Sequence, residues 1–259
     1  MEKWIPGYKR KKPYSVTSRK YNKSSGLIEI DIKKELDRIK SSGFIPTMRK
    51  GDNGIGYTLE TLLGLRETNT RGKGDFSYKG IQTELKSQRK DTSSMMTLFT
   101  LEPKKETLKD RDMINKYGYL DSKGRQGLKI TLDTKHFVPQ GLKISVDYAN
   151  DKLSIIDQDD NISWYWTITD LEIKIGSLVI VFAERRGRGK TEEFHYVEAH
   201  HLNGLDPDKL LSLFDENVFV IDLRMHLRHN NTVRNHGTAF RIRDMSKLIG
   251  CYEVSERLI

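Results

Sequence analysis

The sequence predicts an α+β fold, a mixed central β-sheet flanked by helices. Helical spacing of apolar residues occurs near both ends of the chain. Two-residue alternation dominates the middle, and Gly, Asn and Asp turns punctuate the alternating runs. With 259 residues, 36% of them hydrophobic, the chain can bury a sizeable core as one large or two smaller domains.

Taken in order, residues 1–27 form a basic arm, because GYKRKKPYSVTSRKYNKSSG (7–26) is nearly all positive and polar. IEIDIKKELDRIKSSG places Ile28, Ile30, Ile32, Leu36 and Ile39 at mostly helical spacing, with Gly43 as the stop. A second helix covers Gly56 to Leu63, with Leu59, Leu62 and Leu63 inward. Residues 74–79 pair with 81–87 across a turn at Lys79-Gly80, and MMTLFTL is the next strand. ETLKDRDMINKYG is helical and YLDSKGRQG a loop. From 128 to 167, LKITLDT, LKISVDYA, KLSIIDQ and SWYWTI alternate as an antiparallel meander. SLVIVFAE (177–184) is a buried strand, and FHYVEAHHL returns across the basic tip RRGRGK. DPDKLLSLFDE is a helix with an aspartate N-cap, VFVIDLRMHL a strand, and MSKLIG a short helix.

Several classes are excluded. No apolar run approaches the ~20 residues of a membrane-spanning helix, and MEKWIPGYKRKKPYS has no apolar segment of the signal-peptide kind. One cysteine, Cys251, permits no internal disulfide and no thiolate zinc site, and fits a reducing, cytoplasmic setting. The net charge is +9, from 45 basic and 36 acidic residues, which favours a polyanionic partner. RMHLRHNNTVRNHGTAFRIR (224–243) mixes arginine, histidine and asparagine; arginine and asparagine suit guanine and adenine edges.

GDFSYKGIQTELKSQ (74–88) carries the chemistry. Residues two apart on a strand share a face, so Glu84 and Lys86 are neighbours, and the hairpin can bring Asp75 to them. The bland reading is a surface ion pair, because acid-x-Lys also occurs at Asp31, Glu102, Asp121, Asp133 and Glu172. Glu84 alone has an upstream aspartate at hairpin distance and a preceding helix with an acid among leucines, Glu60, which faces either the sheet or solvent. Two carboxylates can hold a hard divalent cation, and a lysine beside it can manage the attacking water of phosphodiester hydrolysis. The adjacent His200 and His201 point to opposite strand faces and read as structural.

KGDNGIGYTLETLLGL (50–65), the D…ExK segment 74–88, SMMTLFTLEP (94–103) and NHGTAFRI (235–242) together resemble the MvaI/BcnI family of type II restriction endonucleases. The nuclease core of that family is itself similar to the mismatch-repair nickase MutH. The likeness spans roughly 28 to 259, and its gap between aspartate and glutamate is longer than in the shorter family members. The resemblance implies a restriction-endonuclease-like core with a DNA-recognition lobe, forming a clamp. It implies a catalytic nuclease lobe over 28–125 with later strands contributing, and a β-rich region over 126–259 that includes the recognition lobe. It implies catalytic Asp75, Glu84, Lys86 and Glu60, with metal held by Asp75, Glu84 and the Leu85 carbonyl. Asp222, Arg224, His236 and Arg241 fall on the family's DNA-reading positions, and Arg234, Arg49 and Lys50 complete the expected DNA contacts. The expected enzyme is a Mg²⁺-dependent monomer (Mn²⁺ or Ca²⁺ able to replace Mg²⁺ in binding) that cuts double-stranded DNA at a short CCNGG-like pseudopalindrome. A methyltransferase would protect host DNA. A MutH-like nickase and a non-catalytic DNA-binding module stay open as alternatives.

Overall fold

The computed structural model describes residues 19–22, 27–65, 74–159 and 162–259. Most of the basic arm therefore lies outside the described residues. Two compact units are present, one formed by the described residues up to Lys90 with 181–199 and 258–259, the other by 91–180 and 200–257.

In the first unit, strand Leu27–Ile30 pairs antiparallel with Arg19–Asn22 and parallel with Phe76–Tyr78. Phe76–Tyr78 pairs antiparallel with Ile81–Arg89, beyond which come residues 181–186 and 193–199 of two long strands, Ser177–Arg186 and Glu193–Leu205. Parallel and antiparallel pairs occur side by side, so the sheet is mixed, as expected. Ile28 and Ile30 lie on a strand, not on the expected helix. The helix starts only at Ile32, because the Asp31 carboxylate accepts from Lys34 N at 3.2 Å and so sets the boundary. Ile32, Leu36 and Ile39 on helix Ile32–Ser41 are buried, and Gly43 follows in the left-handed region at φ 67°. Helix Gly54–Leu63 buries Leu59, Leu62 and Leu63 against the sheet side of the unit. The hairpin turn has Lys79 at φ 51° and Gly80 at φ 79°, the paired left-handed geometry that matches strand twist.

The second unit holds two sheets. Leu142–Asp147, Lys152–Asp157, Trp164–Thr167 and Lys104–Lys105 form a four-stranded antiparallel sheet, so the meander is present from 142 onward. Gln126–Leu132 does not belong to it: this strand pairs with Phe219–Leu227 in a second sheet, since alternation fixes a face but not a partner. That second sheet runs Met96–Thr100, Ala239–Ile242, Phe219–Leu227, Gln126–Leu132, Tyr119–Leu120, with Val233–Asn235 also on Phe219–Leu227. Tyr119–Leu120, expected as loop, is the first arm of a hairpin returning at Gln126.

Helices Asp110–Tyr117, Pro207–Asp215 and Met245–Ile249 sit where the sequence puts them. Helix Ile168–Ile175 was not expected; its reciprocal Thr167–Asp170 cap breaks the strand there. Phe240 stacks on Phe99 and meets Trp166 and Phe214 edge-on, which anchors the sheet in the core. His201 is buried with Nε2 3.0 Å from Ser177 Oγ, consistent with its structural reading. Among the described residues no helix is long and apolar enough to cross a membrane.

Candidate functional site

In the first unit, the hairpin brings the residues of the D…ExK segment together. The Asp75 N–H donates to Thr83 O at 2.9 Å, and its Oδ2 accepts from Leu85 N at 2.7 Å. The longer gap before Glu84 is thus absorbed by the Lys79-Gly80 turn, and Asp75 still reaches the strand between Glu84 and Lys86. Thr83 and Leu85 are buried, whereas Glu84 and Lys86 lie half-exposed on the alternate positions. Lys86 Nζ donates to Glu84 Oε1 at 2.6 Å. Burial first, then the Glu84 carboxylate, raises the Asp75 carboxyl above its ordinary range; Leu85 N–H and Lys86 pull the other way. A hard divalent cation fits this donor set of two crowded carboxylates beside a main-chain carbonyl, because it offsets the charge that burial and proximity disfavour. Asp75, Glu84 and Glu60 do not form one metal-binding group: among the described residues no three His, Cys, Asp or Glu lie close enough to hold an ion together.

Glu60 instead stands on helix Gly54–Leu63 where that helix meets the strand. A methyl group added to Gly56 would lie 3.6 Å from Ser87 Oγ and 3.8 Å from Glu60 Oε1, so Gly56 leaves room beside both the carboxylate and the strand residue after Lys86. Tyr196, fully buried, donates its hydroxyl to Ile55 O at 2.8 Å and ties the start of this helix to the sheet. Arg89 makes a two-pronged pair with Glu192 at 2.8 and 3.2 Å and donates to Asp52 O at 3.3 Å just before the helix. Arg49 stacks on the Tyr57 ring at 3.7 Å, and Lys50 beside it is exposed.

In the second unit, cross-strand register gathers the other set on one sheet face. Ile221, Leu223 and Met225 point into the core, so Asp222, Arg224 and His226 point the other way. Opposite them on Gln126–Leu132 stand Thr131, Lys129 and Gly127, and Arg234 pairs with His226. Asp222 accepts from Thr131 Oγ1 at 2.6 Å and from Arg241 Nη1 at 2.8 Å. Arg241 also donates to Met95 O at 2.9 Å, and its Nε is buried with no partner among the described residues. Arg224 donates to Gly237 O and His236 O at 3.1 and 3.3 Å, while its own carbonyl accepts from His236 N.

The NHGTAFR segment shows a division of labour. Asn235 bridges Glu102 and Asp110 at 2.9 and 3.1 Å and accepts from Gly237 N. Gly237 at φ 86° makes the turn, Thr238 N is held by Glu102, and Ala239 and Phe240 are core. His236 stacks on His226 with ring centres 5.5 Å apart. Burial and the nearby Arg234, Lys129, Arg224 and Arg125 lower the His236 pKa; burial and Arg125 lead the same shift for His226. Both rings are therefore neutral at physiological pH, surrounded by fixed positive charge.

Sequence reasoning named Asp222, Arg224, Arg234, His236 and Arg241, and the structure brings these five together. It missed Thr131, Lys129, Arg125 and His226. The polar residues Arg125, Lys129 and Thr131, interleaved with Leu128, Ile130 and Leu132, were the available signal.

A family model described as the MvaI/BcnI restriction endonuclease family matches residues 32–248. No curated protein sequence matches the chain. Among solved structures, the chain is similar to a restriction endonuclease MvaI–cognate DNA substrate complex, at 26% identity over 88% of this chain and 97% of that one, with a TM-score of 0.68. It is also similar to restriction endonuclease MvaI in the absence of DNA, at 23% identity over 88% and 96% of the two chains, with a TM-score of 0.52; this likeness bears on the fold alone.

Proposed function

The chain belongs to the MvaI/BcnI restriction endonuclease family, and on that premise we propose that it is a Mg²⁺-dependent site-specific deoxyribonuclease acting in the cytoplasm as a monomer. Its substrate is duplex DNA carrying a five-base-pair site of the CCNGG kind, cut in two successive nicking events. The observation that carries the reading is the hairpin that fixes Asp75 on the Leu85 N–H and sets Lys86 2.6 Å from Glu84.

Asp75, Glu84 and the Leu85 carbonyl hold the divalent ion. When bound, that ion neutralises phosphate charge and acidifies water. Lys86 orients the attacking water and offsets charge that builds on the phosphate oxygens. Glu60 supports the strand beyond Lys86 from the neighbouring helix. Water attacks in line, leaving a 5′-phosphate and a 3′-hydroxyl. Asp222, Arg224, Arg234, His236 and Arg241 read or grip the DNA, with Arg49 and Lys50 on its backbone, and a methyltransferase protects the host's sites.

Digestion of a plasmid of known sequence in Mg²⁺, followed by end-mapping, tests this. Discrete fragments with common ends are expected from wild type. Lys86→Ala protein is expected to bind the mapped site but cut it at least ~100-fold more slowly, the usual loss of a proton-handling group. Equal cutting by both proteins defeats the site assignment, and nicked circles alone point to a nickase.

A further inference from the structure

We infer that Arg125 is a base-reading arginine at the end of the second unit's polar sheet face, aimed at a guanine edge by Asp121 and His226. The inference rests on the nuclease reading above and extends it to a residue outside the D…ExK and NHGTAFR segments.

Arg125 immediately precedes strand Gln126–Leu132, and its contact with His226 places its guanidinium at the end of the face shared by Lys129, Thr131, Arg224 and His226. Its guanidinium is held on two sides. Asp121 Oδ2 accepts from Nε at 3.0 Å and from Nη2 at 2.7 Å, and Nη1 lies 3.3 Å from His226 Nε2. Asp121 is itself fixed, because Oδ1 accepts from the backbone N–H of Lys123 and Arg125. These contacts with the described residues use three of the five guanidinium N–H donors. One hydrogen remains on each terminal nitrogen, matching the two acceptors, O6 and N7, of a guanine in the major groove.

His226 needs room to sit there. A Cβ on Gly127 would lie 3.3 Å from the His226 Cβ, so any larger residue there would crowd the strand that presents His226 to Arg125 and His236. Geometry separates base reading from backbone gripping. Asp121 Oδ2 also lies 3.6 Å from Lys129 Nζ, so two cations share one carboxylate, but only Arg125 is gripped by it through two nitrogens. That hold leaves a rigid directional donor pair, which suits a neutral base edge.

The test uses the full chain and short duplexes carrying the site mapped from plasmid ends, each with one base pair changed. For Arg125→Met, kcat/KM on the mapped site is expected to fall about 10- to 100-fold, with discrimination collapsing at one G·C pair and kept at the others. The salt dependence of binding and Tm are expected to match wild type. Arg125→Lys, which keeps the charge but not the fork, is expected to lose the same discrimination with Tm held, and it decides the matter if Arg125→Met folds poorly. A uniform loss across all duplexes with a salt slope reduced by about 1 identifies a phosphate clamp and overturns the inference. So does a lowered Tm with discrimination intact in both variants, the mark of a hairpin staple. If wild type cuts no DNA, the nuclease reading fails. If wild type cuts and both variants discriminate as it does, only the role of Arg125 fails.

Discussion

At Asp75 the needs of folding and of the proposed catalysis oppose each other. Its carboxyl is partly buried next to Glu84, so its pKa is raised in the folded chain above the ordinary value of 3.8. Below that ordinary value the group is protonated whether folded or unfolded, and it costs nothing. As pH rises through the raised folded value the ionised form penalises the native state, and the penalty persists at neutral pH. Asp75→Asn keeps an acceptor for Leu85 N–H and removes the charge. Metal-free variant protein is expected to melt above wild type at neutral pH, the two converging near pH ~3–4. Millimolar Mg²⁺ should reverse the order, because binding at a hundredfold over Kd adds about 2.7 kcal/mol to wild type alone. Thermal scans with and without metal read both effects; a variant that melts lower without metal sinks the argument. At this scale much was legible in advance, since Asp75, Glu84 and Lys86 follow from strand alternation and one turn. Thr131 and Arg125 were not, because their partners Asp222 and His226 lie 91 and 101 residues away in the chain.

Among the elements, strand Ile81–Arg89 is fixed at its far end by the Arg89–Glu192 pair, whose side chains are only 13% and 6% exposed. The same guanidinium touches Asp52 O and so links strand, helix entry and the start of Glu193–Leu205. Removing one partner strands a buried charge, with Arg185 Nη1, 3.9 Å away, as remaining compensation. Arg89→Met is therefore expected to lower stability by about 3–5 kcal/mol, while Arg89→Met with Glu192→Leu recovers most of it. Urea unfolding of the two singles and the double measures the coupling; additive losses exclude it. The helix capped by Asp206 was readable, whereas the Asp31 cap was passed over and the helical spacing carried too far back across Ile28 and Ile30. Ile168–Ile175 escaped notice because TITDLEIKI also alternates, and only the Thr167–Asp170 spacing marks a helix start. The placement of Gln126–Leu132 could not be read at all, for a half-polar strand accepts any neighbour with a matching face.

For the whole molecule, the excess of 45 basic over 36 acidic residues sets how binding responds to salt. Five basic groups, Arg125, Lys129, Arg224, Arg234 and Arg241, lie on one sheet face of the second unit, and Arg49 and Lys50 lie in the first. With roughly 6–10 phosphate contacts, affinity measured in Ca²⁺ should drop about 10³- to 10⁵-fold between 50 and 200 mM salt. A nearly flat dependence in anisotropy titrations contradicts a backbone-gripping role for these side chains other than Arg125. The α+β class with a mixed sheet was predictable from alternation and helical spacing, whereas the return of 181–199 to the first unit was not, because linear order does not reveal which sheet a strand joins. The polar face assembled from 125–131, 222–226 and 234–241 has a consequence for inheritance. On the proposed reading of DNA by this face, transplanting the C-terminal stretch into a relative moves only half of the reader, so a new target preference has to arise by matched changes in two distant parts of the gene.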